Sequence, residues 1–422
     1  MKRSCRAAAV IALACGAAAC AGLEDGDPDQ AVDQATDQTV GEALVTDGAL
    51  AHRAATRYLV LELDSLGGGT ASGNSINDLG WVAGSSTLPG NQTQHATLWR
   101  YGATTDLGTL GGPNSGVSWP VKNDRGLVVG IAETAEDDPL GEAWSCSAFF
   151  PTVTGKICRG FVWERGVMRA LPTLGGNNGY ATGANRRAQV VGWAENTIAD
   201  PTCNPPQVLQ FRAVVWGPGR DQIQELPPLP GDTTSAATAI NDRGQVVGIS
   251  GICDNAVGRF SAAHAVMWED GVATDLGSLG GISWNTPVAI NRRGDVVGFS
   301  NVEASAGGSF RAQAFLWTRG VGIQPLGTLP GDVYSQGLGI NERRQVVGTS
   351  CTAGFASCRA FVWEDGVMTD LDAAARLGDD DPLTTANDIN ELGVITGAAV
   401  DDDGNQRAAV VIPLPGFLAQ PR

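Results

Sequence analysis

Histidine, positive charge and long apolar runs are what this sequence has least of. Three His occur in 422 residues, so histidine-based acid–base chemistry and His-rich metal sites have almost no material. No stretch of about 18 apolar residues is present, so no membrane-spanning helix is expected. Charged residues are scarce at 17%, with 28 basic against 45 acidic and a net charge of −17. That balance argues against a nucleic-acid backbone or an anionic membrane face as partner. Glycine, by contrast, is abundant at 57 residues. It shows no three-residue period, which excludes collagen, and glycine with β-branched residues at this density disfavours long helices. With 43% hydrophobic residues the chain can still fill a sizeable core. The composition is that of a β-rich, turn-rich globular protein.

The first segment reads as a targeting signal. Lys2, Arg3 and Arg6 precede a short apolar run from Ala7 to Ala19. The run Ala17, Ala18, Ala19, Cys20 resembles the lipobox of bacterial lipoproteins, with Ala17 where Leu is usual, which implies lipidation at Cys20. Residues 1–19 are therefore expected to be a lipoprotein-type signal peptide. Residues 20–57 are expected to be an acidic flexible linker, because they carry many Asp and Glu and almost no large apolar side chains. Nine Cys less Cys5, Cys15 and Cys20 leave six. An even number in an exported chain reads as up to three disulfides.

From Tyr58 onward one unit recurs. Its landmark Asn falls at 77, 123, 185, 241, 291, 341 and 390, with spacings of 46, 62, 56, 50, 50 and 49. After it come a turn, an apolar run ending in Gly such as Val246-Val247-Gly248, a segment ending in Trp such as His264 to Trp268, and a stretch such as Asp275 to Gly281. These motifs, in this order, resemble the bacterial extracellular repeat family called HAF, after its His-Ala-Phe triplet. The resemblance covers about residues 58–412 and implies an exported repeat protein, with no established activity attached. The namesake position reads His95, Arg159, Arg212, His264, Gln313, Arg359 and Arg407.

Each unit holds four short β-candidates, here a (ending in the Asn), b (ending in Gly), c (ending in Trp) and d. Residues such as Asn241 to Gly244 between a and b suit tight hairpins. Four hairpin-linked strands in about 50 residues is the pattern of a propeller blade. The repeat opens with a d-like segment, Tyr58 to Gly68, and closes with a c-like one, Arg407 to Ile412. The expected fold is all-β, a seven-bladed β-propeller over 58–416 closed by its N-terminal strand pairing with the last blade, and a tail at 417–422. A right-handed β-solenoid is the rival architecture. The six c-strand Trp (Trp99, Trp163, Trp216, Trp268, Trp317, Trp363) are read as packing between blades.

Alternating strands put the b–c and d–a connections on one rim. All six remaining cysteines lie in b–c connections, and the pairing expected is Cys146 with Cys158, Cys203 with Cys253, and Cys351 with Cys358. The insertions 131–159 and 193–211 elaborate the same rim. Its d–a connections carry Trp119, Tyr180, Trp284 and Tyr334, ligand-binding candidates that could form an exposed aromatic ring, with Trp144 as a weaker one. Packing between blades is the alternative. No catalytic residue is assigned, because Arg or Gln replaces His95 and His264 in other units. Asp401 to Asn405 faintly resembles the start of a Ca²⁺ loop, but Ile412 stands where the closing Glu belongs, so no cofactor or metal is expected.

The function expected is that of an exported, lipid-anchored binding or scaffolding protein of the bacterial cell envelope, or a secreted one. It would act as a monomer on an envelope or extracellular protein or glycan, without nucleic acid. The rival is a propeller hydrolase or lyase acting on extracellular or envelope glycans.

Overall fold

The computed structural model describes residues 57–121, 123–142, 146–217, 222–254, 258–302, 310–374 and 376–414. The expected signal peptide, the linker up to residue 56 with Cys20, and the C-terminal tail lie outside the described residues. Those described form β-strands and a few single-turn 3₁₀ helices, with no α-helix.

Seven antiparallel sheets stand in a ring, a β-propeller. In blade one the strands are Ala71–Ile76 (a), Val82–Thr87 (b), Gln94–Arg100 (c) and Ala103–Asp106 (d), hydrogen-bonded in that order. Blade seven is completed from the other end of the repeat. Arg57–Leu63 serves as its d strand beside Gln406–Leu414, with Val60 opposite Val411. A fifth short strand, Arg376–Gly378, runs parallel to Arg57–Leu63 on its outer side, an addition the repeat pattern does not contain.

The recurring residues explain the blade. Three residues before the landmark Asn, strand a steps out of register with strand b, as between Ala237 and Ala239. The Gly of the apolar run lies against that step. A Cβ built on Gly248 would sit 2.0 Å from the carbonyl oxygen of Ala236, and the equivalent atom on Gly348 would be 1.9 Å from that of Gln336. At the third residue after the Asn the backbone is left-handed: Gly in five blades, Ala188 (φ 59°) and Arg344 (φ 60°) in the others. Between blades, the indole N–H of Trp99, Trp216 and Trp268 donates to the carbonyls of Asp64, Pro172 and Pro227 at 2.7–2.8 Å, each on the preceding blade's side. Trp99, Trp163, Trp216 and Trp268 are buried and Val411 fills the same place in blade seven. These tryptophans pack blade against blade, as expected.

The landmark asparagines close the ring at its axis. Each side-chain Nδ2 donates to the backbone carbonyl of the next one: Asn77 to Asn123, Asn123 to Asn185, and so on to Asn390, which returns to Asn77. The seven bonds span 2.8–3.3 Å.

Candidate functional site

The rim bearing the b–c and d–a connections holds three disulfides, Cys146–Cys158, Cys203–Cys253 and Cys351–Cys358. The first and third close local loops; the second ties blade three to blade four. This is the pairing expected from the sequence, and three structural disulfides place the fold in an oxidising compartment. Among the described residues no helix is long and apolar enough to cross a membrane.

The exposed ring of aromatics expected on this rim requires correction. Trp119, Tyr180 and Trp284 are buried, in one apolar cluster under the disulfides that runs from blade two to blade five. Tyr180 is covered edge-on by Phe149 from the blade-two insertion (5.0 Å between centroids) and by Trp119 (5.8 Å), and it also touches Trp193. The insertion supplies a lid that loop position alone does not reveal. Trp144 lies outside the described residues.

Tyr334 differs from the other three. It is half-buried and stacks face to face on Phe355 at 4.8 Å, with Phe310 against both rings. Phe355 rides in the short loop closed by Cys351–Cys358, and Tyr334 pairs with Cys351 across the sheet. The disulfide thus fixes a small aromatic platform at the edge of blade six.

In three blades the side chain at the namesake position meets a carboxylate of its own blade. His95 meets Asp106 at 2.9 Å, His264 meets Asp275 at 3.3 Å, and Arg359 meets Asp370 at 2.9 Å, the carboxylate in each case closing strand d, which lies just before the Asp-Leu-Gly stretch rather than on it. Asp401 accepts from the backbone N–H of Asn405 (2.7 Å) and pairs with Arg407 (2.7 Å). Glu133 lies 4.0 Å from Cys146 Sγ and accepts from Thr154 and Asn114. Burial raises its pKa against the opposing effect of those donors. With Cys146 and Cys158 joined to each other, that buried trio offers no thiolate to a metal.

The opposite rim, bearing the a–b turns, holds a feature the sequence reading missed. Directly after each ring Asn stands a charged residue: Asp78, Asp124, Arg186, Asp242, Arg292, Glu342 and Glu391. They converge on a central mouth enclosing about 50 Å³. Arg186 reaches across to Asp78 (3.2 Å) and Asp242 (3.8 Å) and also bonds Asp124; Arg292 reaches Asp78 and Asp242 at 3.6 Å. The carboxylates take backbone N–H donors as well: Asp124 from Asp78, Asp242 from Arg186, Glu391 from Glu342, and Asp78 from Glu391. Five carboxylates against two guanidiniums leave the mouth at −3, and its two arginines bridge the opening. The signal was available in the sequence as an unbroken series of charged residues at one repeat position.

No family model matches the chain, and no curated protein does. Among solved structures it is similar to the Pyrococcus horikoshii acylaminoacyl peptidase, at 12% identity and a TM-score of 0.44 over 80% of this chain and 52% of that one. It is also similar to the Porphyromonas gingivalis dipeptidyl peptidase 4, at 10% identity and 0.37 over 82% and 52%. Another is a Trypanosoma rangeli sialidase, at 10% identity and 0.37 over 74% and 55%. The chain spans about half the length of these structures, and no residue role passes from them to it.

Proposed function

We propose that this protein is an exported, lipid-anchored binding or scaffolding module of the bacterial cell envelope, and that the disulfide rim is its contact face. The observation that carries the reading is that all three disulfides and both long insertions fall on one rim. A face that is elaborated and covalently fixed, on a ring whose other face carries short hairpin turns around the charged mouth, is suited to present a preorganised surface. The Tyr334–Phe355 platform offers the partner a flat apolar area, suited to the non-polar face of a sugar ring or to an aliphatic side chain of a protein.

Binding by the full chain to a panel of envelope glycans and envelope proteins tests this reading. Tyr334→Ala and Phe355→Ala are expected to weaken the binding seen with the native chain by on the order of tenfold each. Native binding that both variants retain in full removes the platform as the contact. For the anchor, Cys20→Ser is expected to abolish acyl labelling and to move the protein from the membrane to the soluble fraction; an unlabelled native chain overturns that part. The hydrolase or lyase alternative would draw on the mouth carboxylates, which are occupied by guanidinium and backbone N–H partners.

A further inference from the structure

The second residue after each ring Asn stands in the a–b turn, and in all seven blades it is exposed. Its backbone N–H donates to that Asn's Oδ1 at 2.8–3.1 Å in every blade. The turn therefore closes in one way whatever side chain the position carries. Blades one and seven, neighbours in the ring, carry Leu79 and Leu392, 54% and 67% exposed. The five blades between them carry Arg125, Arg187, Arg243, Arg293 and Arg343. Since the turn accepts Leu, five consecutive arginines belong to the surface and are not a demand of the fold.

These guanidiniums differ from the two that bridge the mouth. Arg186 and Arg292 lie among carboxylates. Among the described residues the outer five meet a single carboxylate, Glu342, which is 3.7 Å from Arg293. Four of them lean the same way round the ring, over the turn of the next blade. Arg187 lies against Gly244, Arg243 reaches the carbonyl of Arg293 at 3.4 Å, Arg293 points to Glu342, and Arg343 lies against Gly393. Arg343 also donates to Gln345 at 2.9 and 3.1 Å. A guanidinium has five N–H donors, so each exposed one keeps an edge for a bidentate carboxylate.

Charge changes sign on both sides of this arc. Inside it lies the mouth at −3. The described c–d turns outside it again hold more acid than base, with Asp270 and Asp365 exposed at their tips. A broad anionic sheet such as a lipid surface would set its charges against those carboxylates as well as on the arginines. A narrow chain can lie on the arginines alone. Phosphate on every unit of a nucleic acid is denser than one guanidinium per blade, and the arc has no aromatic side chain on which bases could stack. A binding group repeated at one position per blade suits a ligand whose own charge repeats at a fixed interval.

We propose that the five arginines form a track for one strand of an acidic polysaccharide, its carboxylates paired with guanidiniums from blade two to blade six. The track goes beyond the binding reading above: it lies on the opposite face and stands whether or not the disulfide rim meets a ligand.

Binding of the full chain to polygalacturonate, with a carboxylate on every sugar, and to hyaluronate, with one on every second sugar, tests it. At about 0.02 M salt at least one is expected to bind, and about 0.5 M salt is expected to release it. Methyl-esterified polygalacturonate, the same sugar without charge, is expected not to bind. Arg187→Leu and Arg243→Leu install the residue that blades one and seven already carry, and each is expected to weaken binding on the order of fivefold. Leu79→Arg lengthens the arc and is expected to tighten it. Tyr334→Ala, on the other face, is expected to leave it unchanged. Binding of neither polymer overturns the proposal, as does native affinity retained in the double Leu variant. Tighter binding to polyglutamate or to phosphatidylglycerol vesicles overturns it in favour of an acidic peptide or a membrane. A loss confined to Tyr334→Ala places the glycan on the disulfide rim and overturns the track alone.

Discussion

A carbonyl oxygen stands where the β-carbon of Gly248 would be, and the same geometry recurs in the other blades. The glycine ending each Val-Val-Gly run is therefore demanded by space, not by turn geometry. Gly248→Ala is expected to lower stability by about 3 kcal/mol or more, since backbone rather than a movable side chain must yield. A urea titration checks this, and a loss under about 1 kcal/mol would show that the step in strand a can relax. A second residue-scale case is the pair of Asp295 and Arg344, bound through both guanidinium and both carboxylate positions at 2.9 and 3.0 Å. Burial opposes ionisation of Asp295, but hydrogen bonds from Arg344 and Asn291 overcome it and hold its pKa below the usual range. Stability from a lowered carboxylate is present at neutral pH and lost as pH falls through its folded value. Arg344→Met is thus expected to destabilise at pH 7, with a penalty that shrinks below about pH 4; a penalty constant with pH would refute the assignment.

Among elements, the disulfides differ in what they cross. Cys203–Cys253 spans 50 residues and two blades, against 12 and 7 for the local bonds. Loop-closure entropy ranks its contribution at about 4 kcal/mol, with about 2.5–3 for the others. Thermal midpoints of the three paired Cys→Ser variants are expected to fall in that order, and a larger loss for Cys351–Cys358 would contradict it. The blades themselves were legible because the repeat writes each strand seven times, so tandem evidence replaced weak local propensity. The aromatics were not. Tyr180 reads in the sequence as part of a connection, which favours exposure, yet it lies in strand a of blade three (Gly179–Ala184) and Phe149 from an insertion in another blade covers it. Such lids come from segments that the repeat does not specify. The charged mouth was legible in retrospect, since Asp242 or its counterpart follows every ring Asn, but each residue alone looked like ordinary turn chemistry.

At the scale of the whole ring, blades two, four, six and seven offer carboxylates at the axis and blades three and five offer guanidiniums, with Asp78 of blade one shared by both. Arg186 contacts Asp78, Asp124 and Asp242, so three blades lose a counter-charge if it is removed. Arg186→Gln takes the mouth from −3 to −4. It is expected to lower the thermal midpoint by a few degrees in low salt, with much of the loss recovered at about 0.5 M salt, where such charges are screened. A deficit indifferent to salt would mean that the side chain acts by packing alone.

Closure also sets the direction from which the chain enters. Arg57 lies opposite Leu414, at the end of strand c where the hairpin turns are, so both ends of the ring emerge on the side of the charged mouth. A tether drawn upstream from Arg57 would hold the wheel by that side, and the cystine-bearing face would look away from whatever surface the tether is fixed to.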